Sequence, residues 1–145
     1  MSEKIDRIKE LFLFDIIIAT AKIREIAKDF DNGEALKYSW QQWDSIIREF
    51  EIVGEAMRYC LRFELFEESR DKRKVIDFRN IIAHKYFGID SDAVLDIAQN
   101  NLDWLDEIII NRINEIEPNY KKELIYYMID ENRYLDFVVK KLNSL

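Results

Sequence analysis

Residues 5–33, IDRIKELFLFDIIIATAKIREIAKDFDNG, decide the fold class. Ile5, Ile8, Phe12, Ile16, Ala19, Ile23, Ile26 and Phe30 recur at steps of three and four, the period of one helix face. The spacing predicts an amphipathic helix ended by Asp31-Asn32-Gly33, with Gly33 as a left-handed stop. The same period continues downstream. Ser39, with Gln42 three residues on, has the form of a capping box. Trp43, Ile47, Phe50, Gly54, Met57 and Leu61 then form one stripe of a second helix. Gly54 in its interior costs about 1 kcal/mol relative to Ala, and the close approach of a neighbouring helix is the expected reason for it. A third helix starts between Ser69 and Lys72 and runs toward Gly88, read as its stop. Asp90 or Ser91 caps a fourth, carried by Val94, Ile97, Leu105, Ile108 and Ile109 until Pro118 interrupts. Beyond it, Leu124, Tyr127 and Met128, then Tyr134, Phe137, Val138 and Leu142, predict one or two shorter helices.

No useful segment alternates with period two, and no internal repeat is visible. The expected architecture is all-α: an antiparallel up-and-down four-helix bundle over residues 1–116, with extra C-terminal helices over 117–145 packed on the same domain. Composition agrees. A chain of 145 residues suits one domain, 48% hydrophobic residues argue against disorder, and 35% charged residues give a soluble surface. Three glycines and one proline make a turn-rich β-sandwich or barrel improbable. The single cysteine, Cys60, excludes an intrachain disulfide and a Cys-rich zinc site, and reads as a small core residue. The single histidine, His84, excludes a di-iron bundle with paired Glu-x-x-His motifs. A net charge of −7 weighs against broad, non-specific nucleic-acid binding but leaves room for a local basic cleft. Met1 to Arg7 mixes charge with apolar residues and lacks an h-region, and Ile16–Ala21 is too short to span a bilayer. The expectation is a cytoplasmic protein with no membrane association.

One segment is unusual for a plain bundle: DFRNIIAHKYFG, residues 77–88. Asn80 and His84 stand at i and i+4 and share a helix face, whereas Arg79 and His84 are five apart, about 140° around the axis. They meet if the last turn unwinds, if the Arg side chain reaches around, or if two copies of the motif face each other across a twofold axis. His84 near a helix C-terminus has its protonated form favoured by the macrodipole, and an imidazole poised near neutrality suits general acid–base work. A guanidinium beside it can hold phosphate and stabilise charge on a phosphorane; Asn80 can orient the imidazole or bind phosphate. With no Cys or carboxylates at metal-ligand spacing, phosphoryl chemistry here is most simply metal-independent and cofactor-free. It then requires RNA, whose 2′-hydroxyl is the internal nucleophile. The structural alternatives are a helix-capping His84 and an Arg79 paired with Asp77.

Arg79-Asn80-Ile81-Ile82-Ala83-His84 fits the R-x4-6-H signature of the HEPN superfamily of helical-bundle ribonucleases, with a polar residue directly after the Arg. The extension to Tyr86 resembles the HepT toxins of HEPN–MNT toxin–antitoxin pairs. Val53-Gly54-Glu55-Ala56 resembles the family's Gly-Glu-Ala segment in helix two, and Phe87-Gly88-Ile89-Asp90 its stretch after the Tyr. The resemblance spans about Ile5 to Ile113. It implies a homodimer with a composite cleft built from both copies' Arg79 and His84, RNA cleavage, and a minimal nucleotidyltransferase (MNT) antitoxin that transfers AMP to Tyr86. Two departures stand out: Val75-Ile76-Asp77-Phe78 holds no Trp where the family often has one, and the tail after Pro118 exceeds the usual core.

Arg70, Lys72, Arg73, Lys74, Arg79 and Lys85 cluster around the motif, and Arg73, Lys74 and Lys85 are the candidate RNA contacts. A solvated basic helix face is the competing reading. Tyr38, Trp40 and Trp43 can stack bases but read better as core or dimer packing, and Glu55 is either a support for Arg79 or a surface carboxylate. The second function considered is a non-catalytic HEPN subunit that binds nucleotide or a nucleotidyltransferase partner.

Overall fold

The computed structural model describes residues 8–84 and 88–145, with side chains for 8–80 and 88–145. The described residues are helical, with no strand among them: α1 (Leu11–Ala27), α2 (Gly33–Tyr38), α3 (Trp40–Arg62), α4 (Arg70–His84), α5 (Ser91–Asn100), α6 (Asp103–Ile113), α7 (Pro118–Glu131) and α8 (Asp136–Asn143). None of these helices is long and apolar enough to cross a membrane.

α1 is the axis of the molecule. It packs against α3, α5, α6 and α8, so Leu11 to Phe14 and Ile16 to Thr20 are all buried. The single-stripe helix expected from the sequence is therefore covered nearly all round, because the C-terminal α8 sets Val138 and Leu142 against the side the bundle leaves open. Phe12 at the start of α1 stacks on Tyr59 near the end of α3, with centroids 4.7 Å apart, which makes the two helices antiparallel. α4 returns along α3, with Phe50 and Phe78 edge-to-face at 5.3 Å.

One buried polar cluster ties α1 to α6. Thr20, fully buried, donates its hydroxyl to Asp106 Oδ1 at 2.7 Å. Arg24 bonds the other oxygen of Asp106 and reaches Asp103 at 2.8 Å. Asp106 is only 5% exposed, so its charge stays in the interior because both oxygens are bonded.

The caps explain where sequence and structure differ. Gly33 is not a left-handed stop: its φ is not positive, and it opens α2, whose N-cap Asn32 accepts from Ala35 N. The carbonyls of Ala27 and Phe30 instead accept from the Gln99 side chain at 3.0 and 2.9 Å. Gly33 is needed for contact with α5, where an added Cβ would lie 2.3 Å from Asp92 N. Ser39 does not form the expected capping box, because its hydroxyl donates back to Ala35 O. α3 ends in a Schellman motif that the sequence conceals, since the left-handed position is Glu64 (φ 57°) and not glycine. Leu65 N donates to Cys60 O and Glu64 N to Leu61 O, and Arg112 Nε then pins Leu65 O at 2.6 Å. The predicted fourth helix is two, α5 and α6, broken where the amides of Asn100 and Asn101 fold back onto Asp96. Asp90 caps α5 and Glu117 caps α7, with Pro118 in the first helical turn. The bonds from Asn119 N and Tyr120 N hold the Glu117 carboxyl below its ordinary pKa.

Cys60 is buried as expected, and burial, reinforced by Asp15, pushes its thiol up to about 12. The polar cluster yields a test. Asp106→Ala leaves Thr20 with only Ile17 O as an acceptor and Arg24 with only the exposed Asp103, and should cost about 1–3 kcal/mol in urea unfolding. Asp103→Ala, which removes a side chain 98% exposed, should cost less than about 1 kcal/mol.

Candidate functional site

α4 carries the motif, and its placement is set by one contact with α3. A Cβ built on Gly54 would lie 2.2 Å from Arg79 Cβ and 2.8 Å from Arg79 Cγ. Position 54 therefore has to be glycine for α4 to lie this close, and the residue it admits is Arg79. The close approach expected from the sequence is observed, with the candidate catalytic arginine as the neighbour. Arg79 is half-buried at its base, and its guanidinium donates to Asn80 Oδ1 at 3.3 Å. Among the described residues Arg79 has no ion-pair partner, so Asp77 does not neutralise it. Asn80 is exposed and next to it in the chain, so the structure brings Arg79 and Asn80 together.

His84 is the last residue of α4, and its side chain lies outside the described residues. Lys85 and Tyr86 lie outside them altogether. The helix is continuous through His84, so unwinding before His84 does not bring it round to Arg79. Positions 79 and 84 remain about 140° apart on one continuous helix.

The basic residues of α4 divide between its two flanks. Lys74 lines an apolar groove of about 590 Å³ with Phe50, Val53, Val75, Phe78 and Trp104. Arg73 lies on the other flank, the side of positions 80 and 84, where it is held by Glu68 with Nε to Oε1 at 3.0 Å. Arg73 and Lys74, neighbours in sequence, therefore do not form one patch. Glu68, and secondarily Asp77, raise the pKa of Arg73 above its ordinary value.

On the flank of Arg73, α3 contributes two cations that sequence reading missed, Arg58 and Arg62. They recur at i and i+4 beside the apolar stripe. That they lie next to Arg73 depends on how α3 and α4 pack, which no local pattern reports. Among the aromatic candidates, Trp43 is core, while Tyr38 and Trp40 are exposed where α2 meets α3. Glu55 is half-buried. Among the described residues, no group of three or more His, Cys, Asp or Glu is placed to hold a metal ion.

The Gly54 contact can be tested without reference to activity. Gly54→Ala gains about 1 kcal/mol of helix propensity but overpacks against Arg79, which typically costs about 1–3 kcal/mol. The variant should be less stable than the native chain in urea unfolding, whereas a surface glycine-to-alanine change in a helix would stabilise.

Residues 16–112, from α1 through α6 and including Gly54 and the whole of α4, match the family model described as "Ribonuclease HepT-like". Two relatives from Methanocaldococcus jannaschii carry the name "Putative RNase". One (MJ1380) is 35% identical over 97 residues, covering 63% of this chain and 84% of the relative. The other (MJ0125) is 26% identical over 117 residues, covering 73% of this chain and 91% of the relative. A third protein of that organism, named "Gamma-glutamylcyclotransferase and putative RNase MJ0434", is 27% identical over 116 residues, 76% of this chain but half of its own length. No solved structure matches the chain. With an all-helical fold and two thirds of its length matched by that model, the chain belongs to the HepT-like ribonuclease family.

Proposed function

We propose that this chain is a metal-independent, cofactor-free endoribonuclease of the cytoplasm, acting as a homodimer whose cleft combines Arg79 and His84 of both copies. The observation that carries the reading is the pairing of Gly54 with Arg79. A close α3–α4 contact that admits no Cβ seats an arginine that has no ion-pair partner among the described residues, on the helix that ends at His84. The angle of about 140° between positions 79 and 84 on a continuous helix favours a cleft shared by two copies over one formed within a single chain.

In this reading His84 takes the proton from a ribose 2′-hydroxyl. The 2′-oxygen bonds to the adjacent phosphorus, the bond from phosphorus to the 5′-oxygen breaks, and that oxygen leaves with a proton returned by an imidazolium. Arg79 stabilises the charge on the phosphorane oxygens, and Asn80 keeps guanidinium and phosphate in register. Arg73, Lys74 and Lys85 contribute to RNA binding, with Lys74 the least favourably placed because it faces the apolar groove. The catalytic bundle comprises residues 1–116, with 117–145 a C-terminal extension of the same domain. An MNT-type nucleotidyltransferase antitoxin neutralises the enzyme by joining AMP from ATP to the Tyr86 oxygen with release of pyrophosphate. This places a negative phosphodiester near Arg79 and His84 in the chain.

Cleavage of single-stranded RNA should proceed in EDTA and give a 2′,3′-cyclic phosphate and a 5′-hydroxyl. His84→Ala should lose about 10²–10⁴-fold in kcat and Arg79→Ala about 10²–10³-fold, with native helicity by circular dichroism. Full activity in folded His84→Ala protein would refute the assignment. Intact-mass analysis with the partner and ATP should show AMP adducts on the native chain and none on Tyr86→Phe.

A further inference from the structure

On the flank of α4 that carries Asn80, α3 and α4 enclose a depression of about 320 Å³. Leu61 and Ile76 form its floor, and Arg58, Arg62, Arg73 and Glu68 form its walls. We propose that this depression binds backbone phosphates of the RNA strand flanking the cleaved bond, and that Glu68 occupies it as an internal anion until RNA displaces it. The inference deepens the ribonuclease reading and rests on it.

The charges in the depression do not balance internally. Among the described residues that line it, three arginines face one carboxylate, Glu68, with Asp77 acting on Arg73 from one turn along α4. Among the described residues Glu68 pairs only with Arg73, and neither Arg58 nor Arg62 has an ion-pair partner. Like charges gathered in this way on a chain of net charge −7 are suited to an external anion. Arg58 is partly held in place. Its guanidinium lies over the Tyr59 ring, 5.5 Å from the centroid, a contact that restrains the side chain without using its N–H donors.

Geometry favours a strand over a single small anion. Arg58 and Arg62 stand one turn apart, about 6 Å along α3, and so offer successive sites in a line. The α4 wall is in register with the motif: Arg73 precedes Asn80 by seven residues, about 10 Å along the axis on the same flank. Because Gly54 lies beside Arg79, Arg58 is about 6 Å and Arg62 about 12 Å from that level along α3, so a strand with one phosphate at Arg79 and Asn80 can run down this flank past Arg58, Arg73 and Arg62 in turn. Glu68 sits in the connection before α4, exposed, and an exposed ion pair is readily exchanged for a phosphate. The free chain thus holds a competitor anion in the path of its substrate.

The test uses the full chain and a fluorescein-labelled 2′-O-methyl oligoribonucleotide, which cannot be cleaved because it lacks the 2′-hydroxyl. Binding is followed by anisotropy across KCl concentrations of about 50–300 mM, and removing one arginine–phosphate pair should lower the salt slope by about 0.7. Arg58→Ala and Arg62→Ala, both at exposed positions, should each weaken binding about 3–10-fold with that slope change. Glu68→Gln should tighten binding. On cleavable RNA the two arginine variants should raise KM and leave kcat near native, and Arg62→Lys should recover part of the affinity. Native affinity and salt slope in both arginine variants, in a chain that cleaves RNA, would overturn the subsite and leave the ribonuclease reading standing. Equal displacement of the probe by ATP would also overturn it, by showing a nucleotide site. Weakened binding in the arginine variants of a chain that cleaves no RNA would support the subsite and defeat the catalytic reading. Failure of the native chain to bind the probe would overturn the subsite.

Discussion

A Cβ at position 54 would stand 2.2 Å from Arg79 Cβ, well inside any tolerable contact, so α3 and α4 lie as they do only because position 54 has none. The rest of the site follows from that approach. It fixes the height of Arg79 on α4, sets Phe50 edge-on to Phe78 one turn away, and brings Arg58 and Arg62 alongside Arg73. A glycine inside a helix is a local cost. Here that cost is offset by the packing of two long helices whose contact carries the motif.

The other organising feature is the burial of α1. A helix with apolar residues on nearly every side needs neighbours on every side. α3, α5 and α6 supply three of them, and α8 supplies the fourth. The C-terminal helices thus help to cover the central helix, while Thr20, Arg24 and Asp106 fix the orientation of α6 against α1 through one satisfied polar cluster. The exposed aromatics Tyr126 and Tyr134 remain on the outside of this extension.

Electrostatics separate the whole chain from its site. A net charge of −7 gives an acidic molecule, yet the α3–α4 seam gathers arginines. The two flanks of α4 differ in kind: Lys74 borders an apolar groove, and Arg73 borders a cationic depression. A reader of the linear sequence sees one basic run at residues 70–74, but the helix splits it between two surfaces.

Periodicity determined the helical class and the long helices, because a three-to-four-residue apolar repeat has one regular solution, but it gave neither the short helix α2 nor the break between α5 and α6. Local chemistry gave the cap at Asp90 and the break at Pro118, while the Glu117 cap emerged with the structure. The motif at 79–84 was legible as well, since order and spacing carry it. Tertiary contact decided the rest. Gly33 proved to be a packing residue, because Gln99, remote in sequence, takes the carbonyls at the end of α1. The end of α3 was hidden, because a glutamate holds the left-handed position. Arg58 and Arg62 acquired meaning only beside Arg73, a juxtaposition set by how closely two helices approach at a glycine. A sequence states local preference and pattern. Which side chains from different helices share a surface depends on the registry of packed helices, and that registry is settled only when all of them are in place.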